Sequence, residues 1–305
     1  MRSTRLLIAG LILGAACAAW LSRAPGQSPA ARPAAVLKDA TGVVFPHPGH
    51  VSRIVSLAPS LTQEIFALGA GDALIADTTY CRYPAAAQTK TKIGSTLSPD
   101  LELIVSLHPD LIVATLDGNR LATVAQLRRA GLAVFVTHSA SDFADVQANF
   151  LILARLLGRS SAAQAVLEQA QRQIATERAR VAGLPPVRTF FELQQMPLVS
   201  ANDDTFIGEE LRDAGAINVM GRTSSRYPRL SEEAVLHANP DAILVDNEQS
   251  DPARAVSNWT RFPSLAAARQ RHIFLVSSHL FDTPTPMNFA DAVRVASHLL
   301  HPEAP

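Results

Sequence analysis

The chain has 305 residues, 48% of them hydrophobic, which is enough for two lobes that each bury a core. Its 27 basic and 27 acidic residues balance, and this lack of basic excess argues against nucleic-acid binding. Cys17 and Cys81 are the two cysteines of the chain, too few for a disulfide framework.

Residues 1–17 have the pattern of an export signal. A positive start is followed by an apolar run, 6–19, about as long as a secretory h-region. Small residues precede Cys17 as in a lipoprotein signal, although the usual leucine lies one position early, at Leu13. Lipidation of Cys17 and plain cleavage are both open. Either predicts an exported protein, periplasmic or anchored on the outer side of the inner membrane.

Residues 18–50 are rich in proline and alanine without an apolar period, which predicts a disordered tether. The rest divides into an N-terminal α/β lobe at 51–141, a helical connection at 142–184 and a C-terminal α/β lobe at 185–305.

Short apolar strands alternate with helices in the N-terminal lobe. A strand at 53–58 ends at Pro59, and Ser60 and Gln63 have the spacing of a capping box for the next helix. The dipeptide 98–99, Ser-Pro, is typical of another helix start. Further strands are expected at 73–77, 110–114 and 132–137, with a helix at 124–130. This alternation predicts a doubly wound parallel sheet.

Two helices, 142–157 and 160–182, follow without a strand between them. Apolar residues of the second recur at three- and four-residue spacing, among them Ala163, Leu167 and Ile174. A helix of this length runs roughly 34 Å, the dimension of a small domain. We therefore predict one rigid helix that joins the two lobes.

The C-terminal lobe repeats the alternation. We expect strands at 187–193, 241–245 and 272–276, with helices at 205–214, 231–238, 263–269 and 288–300.

The two lobes also share a spacing. Glu102 and Glu233 each stand seven residues before the proline of a Pro-Asp pair that opens an apolar strand. Two equivalent carboxylates would give a two-lobed molecule one acidic residue on each lobe, whereas first-turn helix acids stabilised by the macrodipole explain the same spacing.

The loop 78–84, TTYCRYP, lies between two strand-helix units. It is aromatic, polar and ended by proline, a composition typical of a loop that contacts a ligand.

A family resemblance rests on motifs along nearly all of 51–300. They are RIVSLAPS at 53–60, LGAGD at 68–72, TTYCRYP at 78–84, KIG at 92–94, PDLIV at 109–113, FFE at 190–192, EEL at 209–211, AGAINV at 214–219 and SEEAVL at 231–236. Together they resemble the substrate-binding proteins of ABC importers for cobalamin, haem and iron siderophores. The cobalamin-binding members are the most similar in pattern.

The resemblance implies two α/β lobes joined by one long helix, with the ligand in the cleft between them. It also implies that Glu102 and Glu233 dock onto arginines of a permease dimer, where charge complementarity sets partner and register. We then expect a binding protein and not an enzyme, with no resident cofactor and a corrinoid, cobalamin above all, as its ligand.

Five residues are the expected ligand contacts on the family pattern. Tyr80 and Tyr227 match aromatic walls for a flat macrocycle, while Cys81 and Arg82 belong to the same loop as Tyr80. His279 stands where an acidic residue is expected, and it either ligates the metal of the ligand or forms a hydrogen bond at the rim.

The pattern also departs from the cobalamin proteins. Thr96 and Leu193 replace aromatic residues, so haem or a ferric siderophore is the alternative ligand. Arg82, Arg226 and Arg229 near the expected cleft suit an anionic siderophore.

Two other classes of protein would account for parts of this sequence. An exported hydrolase would use Cys81 as nucleophile with His138 or His279 as base, but no known catalytic motif surrounds Cys81. A tethered adhesion domain would explain the leader, but it gives no role to Glu102 and Glu233.

Overall fold

The structure of the protein is a computed structural model that describes residues 37–45, 51–248 and 251–304. The leader, Cys17 and the tether up to residue 36 lie outside these ranges, so the predictions about them stay predictions. Within the described ranges, no helix is both long enough and apolar enough to cross a membrane.

The N-terminal lobe contains one antiparallel hairpin and one parallel sheet. Its strands are β1 (Leu37–Lys38), β2 (Val44–Phe45), β3 (Ile54–Ser56), β4 (Leu74–Asp77), β5 (Thr91–Lys92), β6 (Leu111–Thr115) and β7 (Val134–Thr137). The hairpin pairs β1 with β2, and the sheet has five strands in the order β5-β4-β3-β6-β7. The helices are α1 (Pro59–Ala67), a 3-10 helix (Ala85–Thr89), α2 (Leu101–Ser106) and α3 (Leu121–Arg129).

Both faces of this sheet are buried, as the alternation of strands and helices along the sequence predicts. Ile54 and Val113 pack in a core beneath α1, whereas Val55 and Ile112 pack in a second core on the opposite face. Because successive side chains of a strand point to opposite faces of the sheet, each strand contributes residues to two separate cores.

Two helix starts differ from the prediction. Helix α1 begins at Pro59, with Ala58 as its N-cap and no capping side chain, because proline needs no N–H partner in the first turn. Helix α2 begins after Ser98 and Pro99, at Leu101, since the Asp100 carboxylate accepts the Leu103 N–H.

The helical connection consists of α4 (Phe143–Leu156) and α5 (Ser160–Val181). Ala163 and Leu167 of α5 belong to a core of the N-terminal lobe, whereas Ala170 and Ile174 belong to a core of the C-terminal lobe. One helix thus contributes to both lobes, as its long apolar period predicts.

The C-terminal lobe has a parallel sheet of four strands in the order β11-β10-β8-β9. These strands are β8 (Val187–Glu192), β9 (Ala216–Asn218), β10 (Ala242–Asp246) and β11 (Ile273–Val276). Its helices are α6 (Phe206–Asp213), α7 (Glu232–Ala238), α8 (Pro252–Thr260), α9 (Ala266–Gln270), α10 (Ser278–Phe281) and α11 (Pro286–Leu300). The predicted α/β fold with two lobes and one long joining helix is confirmed.

The hairpin at 37–45 contradicts part of the prediction that residues 18–50 form a disordered tether. The ring of Phe45 packs edge-on against Phe135, with centroids 5.3 Å apart, and the buried Asp39 forms an ion pair with Arg128. The Ala40 N–H also donates to the carbonyl of Val136. Apolar burial and a paired charge therefore order these residues despite their proline-rich surroundings.

Candidate functional site

The site is a cleft between the lobes, at the carboxyl ends of both sheets, where ligands bind in open α/β sheets. It consists of two adjoining cavities. The first, about 500 Å³, includes Asp117, Phe206 and Tyr227, and the second, about 510 Å³, includes Tyr80 and His279. Glu248 and Asp282 line both cavities, so the two are compartments of one cleft.

The structure brings four of the five predicted ligand contacts to this cleft. Tyr80, Arg82 and His279 line the second cavity, and Tyr227 lines the first. Tyr80 is 51% exposed and Tyr227 38% exposed, so both present ring surface to a ligand. Burial raises the pKa of Tyr227 to about 12, so its hydroxyl stays protonated at neutral pH. Thr96 and Leu193 also line the cleft, at the positions where aromatic residues were expected.

Cys81, the fifth predicted ligand contact, does not line either cavity, so its prediction as a ligand contact is wrong. Its side chain is 1% exposed, and its sulfur lies 3.2 Å from the hydroxyls of both Thr62 and Thr78. Burial raises the pKa of the thiol, which opposes the thiolate that a nucleophile requires. Cys81 therefore packs beneath the loop, and its burial argues against its use as a nucleophile.

Tyr83 is a contact that the sequence analysis missed. Its ring stacks on the imidazole of His279, with centroids 3.6 Å apart and planes 13° from parallel. This stack joins the loop of the N-terminal lobe to α10 of the C-terminal lobe. The second tyrosine of TTYCRYP was the available signal, but its partner lies almost 200 residues away in sequence.

Gln63 and Asn288 extend this joint, which we call the inter-lobe contact (Gln63, Tyr83, His279 and Asn288). The amide nitrogen of Asn288 donates to Oε1 of Gln63 at 2.9 Å and to the carbonyl of His279 at 2.9 Å. Nε2 of Gln63 lies 3.3 Å from Nδ1 of His279. Gln63 was predicted as part of a capping box, and it is in fact a bridge between lobes.

The inter-lobe contact fixes the tautomer of His279. Because Oε1 of Gln63 accepts from Asn288, its Nε2 is the donor towards Nδ1 of His279. A neutral imidazole that accepts at Nδ1 carries its proton on Nε2. In this tautomer His279 offers an N–H donor to a ligand. Its role as a metal ligand stays a prediction.

His279 should make stability depend on pH. Burial lowers its pKa, so the unfolded chain binds a proton first, near about pH 6.5. The inter-lobe contact therefore stabilises the protein fully above this pH and is lost as the pH falls through the folded pKa. We expect the urea midpoint of wild type to exceed that of His279→Phe at about pH 7.5, with a gap that narrows towards about pH 5. A gap that stays constant with pH would contradict this role.

Carboxyl groups dominate the charge of the cleft. Among the described residues, those lining the two cavities include four acids and a single arginine, Arg82, and the acids are Asp117, Asp246, Glu248 and Asp282. Burial raises the pKa of Asp246 to about 6, and burial together with Asp246 raises the pKa of Asp282 well above its ordinary value. The cleft therefore suits a ligand that donates hydrogen bonds.

Comparison with known proteins identifies the family. The model of the Periplasmic binding protein family matches residues 54–280. The chain belongs to this family. Its members are periplasmic, so membership implies export.

Relatives within this family bind cobalamin or haem. A Vitamin B12-binding protein of Vibrio parahaemolyticus is 25% identical over 248 residues, which cover 81% of this chain and 89% of that protein. Among solved structures, the periplasmic Vitamin B12 binding protein BtuF of Vibrio cholerae is 25% identical, with a TM-score of 0.71 over 82% of this chain and 96% of that one. The periplasmic heme-binding protein BhuT in complex with two hemes is 27% identical, with a TM-score of 0.72 over 81% and 97%.

Glu102 and Glu233 lie outside the cleft, each in the first turn of its helix, α2 or α7. Both are exposed, and neither forms an ion pair with any residue in the described part of the chain. The adjacent Glu232, by contrast, pairs with Arg261 at 2.6 Å. A hydrogen bond from its own backbone lowers the pKa of Glu233, so this carboxylate is charged at neutral pH. Their role in docking stays a prediction.

Proposed function

We propose that the protein captures a corrinoid, most simply cobalamin, in the cleft and delivers it to an ABC importer. Vitamin B12-binding relatives align with about four-fifths of the chain. Haem-binding relatives share the fold equally well, so the chemistry of the cleft has to decide between the two ligands.

The charge of the cleft is the observation that favours cobalamin over haem or a siderophore. Haem carries two propionates and ferric siderophores are commonly anionic, whereas the periphery of cobalamin carries neutral carboxamides. Asp117 and Glu248 would repel an anionic ligand, and Arg82 is the one arginine among the described cavity residues. Neither of the other two candidate arginines is among the residues that line the two cavities. The guanidinium of Arg226 lies 5.9 Å from the ring of Tyr227 and donates to the Ala140 carbonyl at 2.8 Å.

His279 is the feature that would favour haem, since a neutral imidazole ligates iron. Its hydrogen bond with Gln63 directs the proton to Nε2, and its ring is covered on one face by Tyr83. Both contacts favour a role at the rim of the cleft. The ligand is cargo, and we propose no resident cofactor.

Delivery would use Glu102 and Glu233 as one docking carboxylate per lobe on a permease dimer. Their exposure and lack of ion pairs among the described residues support this role, because a carboxylate already paired within the protein would have to exchange partners to dock. Export through the leader would place the protein in the periplasm, with lipidation of Cys17 as the proposed means of anchoring.

Tyr80 and Tyr227 give a first test of this function. We expect Tyr80→Ala and Tyr227→Ala each to weaken cyanocobalamin binding about tenfold, because each removes a ring that packs on the macrocycle. Tyr80→Phe and Tyr227→Phe keep the rings and should bind within about twofold of wild type. Absorbance titration of the purified protein with cyanocobalamin measures all four. Unchanged affinity in both alanine variants would place the ligand elsewhere.

A further inference from the structure

The ammonium group of Lys92 contacts the loop 78–84 and uses all of its donors within the protein. Nζ lies 2.6 Å from Oδ1 of Asp77, 3.0 Å from the carbonyl oxygen of Cys81 and 3.1 Å from that of Ala87. An ammonium group has three N–H donors, so each of them has an acceptor. Surface lysines ordinarily keep this group in water. We call this arrangement the lysine clamp (Asp77, Cys81, Ala87 and Lys92).

The lysine clamp is built on the parallel sheet of the N-terminal lobe. Asp77 is the last residue of β4 and Lys92 is the last residue of β5, and the two are partners in the register of these strands. The side chain of Asp77 is 0% exposed and that of Lys92 is 30% exposed. Groups that are carried by strands are held more precisely than groups on loops, so the clamp gives the loop a rigid support.

Cys81 is the residue of the loop that the clamp holds. Its N–H donates to the carbonyl of Thr78 at 3.0 Å, and its carbonyl accepts from Lys92. Its thiol lies against the hydroxyls of Thr62 and Thr78. The backbone and the side chain of Cys81 are therefore both fixed, which gives this buried residue a role in a loop that carries ligand contacts.

Tyr80 directly precedes this fixed residue and lines the second cavity. Its side chain is 51% exposed, so the backbone around it, rather than packing of its ring, determines where the ring lies. On the other side of Tyr80, the Thr79 N–H donates to the carbonyl of Gly94 at 2.9 Å. Both neighbours of Tyr80 are thus tied to the segment 92–94. A ring that is already in place loses less conformational freedom when the ligand binds.

We infer that Lys92 is a positioning residue for the ligand: through Cys81 it holds Tyr80 at the wall of the cleft before the ligand arrives. This inference rests on the proposed function and assigns a residue that does not itself line either cavity. A purely structural role for Lys92 would lower stability and affinity without any dependence on Tyr80.

A double-mutant cycle separates these two roles. We expect Lys92→Met to weaken cyanocobalamin binding about fivefold in the otherwise wild-type protein and in the Tyr227→Ala background. In the Tyr80→Ala background the loss should be less than about twofold, because the ring that the clamp positions is absent. Lys90→Met is the matched control for charge: Nζ of Lys90 donates to the Gly71 carbonyl at 2.8 Å, outside the loop, and affinity should stay near that of wild type.

Hydrogen exchange of the ligand-free protein tests the clamp independently of any ligand. We expect the Thr79 and Cys81 amides to be protected in wild type and to exchange at least about fivefold faster in Lys92→Met, with the amides of β3 unchanged. If Lys92→Met fails to fold because Asp77 loses its partner, Asp77→Asn/Lys92→Met removes both charges and gives the same comparisons. Exchange of the Cys81 amide in wild type as fast as that of an exposed amide would overturn the inference without any variant.

The outcomes separate this inference from the function on which it rests. An equal loss of affinity from Lys92→Met with and without Tyr80 would overturn the positioning role and leave corrinoid capture standing. If wild type does not bind cyanocobalamin, the proposed function is wrong, and the same cycle is measured with haemin. A protein that binds neither ligand would overturn both.

Discussion

Glu102→Lys/Glu233→Lys should abolish ligand uptake in cells while it leaves ligand affinity unchanged. Each lysine would face the arginine that the glutamate is proposed to meet, and like charges at an interface cost several kcal/mol. Because both positions are exposed on α2 and α7, away from the cleft, neither change should disturb the fold. We expect uptake to fall about 100-fold or more, since each 1.4 kcal/mol is tenfold in affinity.

A matched control uses Glu168→Lys/Glu303→Lys. Both of these acids are also exposed, and the double reversal changes the net charge by the same amount. The two double variants are compared by uptake of labelled cobalamin in a strain that lacks its own binding protein. The ligand affinity of each purified variant is measured alongside. Equal loss of uptake in both would mean that net charge, and not docking by these two residues, is responsible.

Among single substitutions in the elements that form the cleft, Gly208→Ala should lower the stability of the protein the most. Gly208 lies in the first turn of α6, and a Cβ there would come within 2.4 Å of the Asn202 carbonyl oxygen and 2.7 Å of the Asp203 Cα. These are backbone atoms that cannot rotate away. Helix α6 also carries Phe206 and Ile207 into the first cavity, so displacement of the helix would disturb binding. We expect a loss of about 3 kcal/mol in the free energy of unfolding.

Gly158→Ala separates this clash from ordinary backbone strain. Gly158 has φ of +66°, but no atom lies within 4 Å of its added Cβ. Its cost should be about 1 kcal/mol, the strain of a left-handed residue alone. Urea unfolding of both variants at one pH gives the comparison. If Gly208→Ala were no less stable than Gly158→Ala, the backbone around Gly208 would accommodate the added Cβ at little cost in the free energy of unfolding, and the prediction would be wrong.

The elements that sequence predicts well are those governed by local patterns. Helix α5 was found within one residue at its end because its apolar period continues for some six turns, longer than chance alternation sustains. Thr205 and Ser231 were also placed correctly at the starts of their helices, since each side chain accepts a backbone N–H of the first turn. The cleft as a whole followed from the family motifs.

The contacts that sequence did not reveal are long-range pairs of ordinary residues. Gln63 meets Asn288 and Tyr83 meets His279 only because the two lobes close on each other, and no local pattern marks such a pair. Strand β9 was missed because three residues after a glycine carry too little period. Cys81 was placed in the site from its position in a loop, whereas its thiol is buried against Thr62 of α1 as well as Thr78 of its own loop.

The carboxyl groups of the cleft show the same limit most clearly. Asp246 ends a strand and Asp282 follows a short helix, and each alone has the sequence context of a capping or turn residue. The fold brings both of them to the wall of one cavity. Charge at the site is therefore a property of the fold that composition, which is balanced overall, does not disclose.

Ligand selectivity tests the central claim most directly. Calorimetric titration of the purified protein with cyanocobalamin and with haemin, in one buffer at neutral pH, compares a ligand rich in carboxamides with one that carries two propionates. We predict a 1:1 complex with cyanocobalamin with a Kd below about 1 μM and binding of haemin at least about tenfold weaker. Tighter binding of haemin than of cyanocobalamin would contradict corrinoid capture by this cleft.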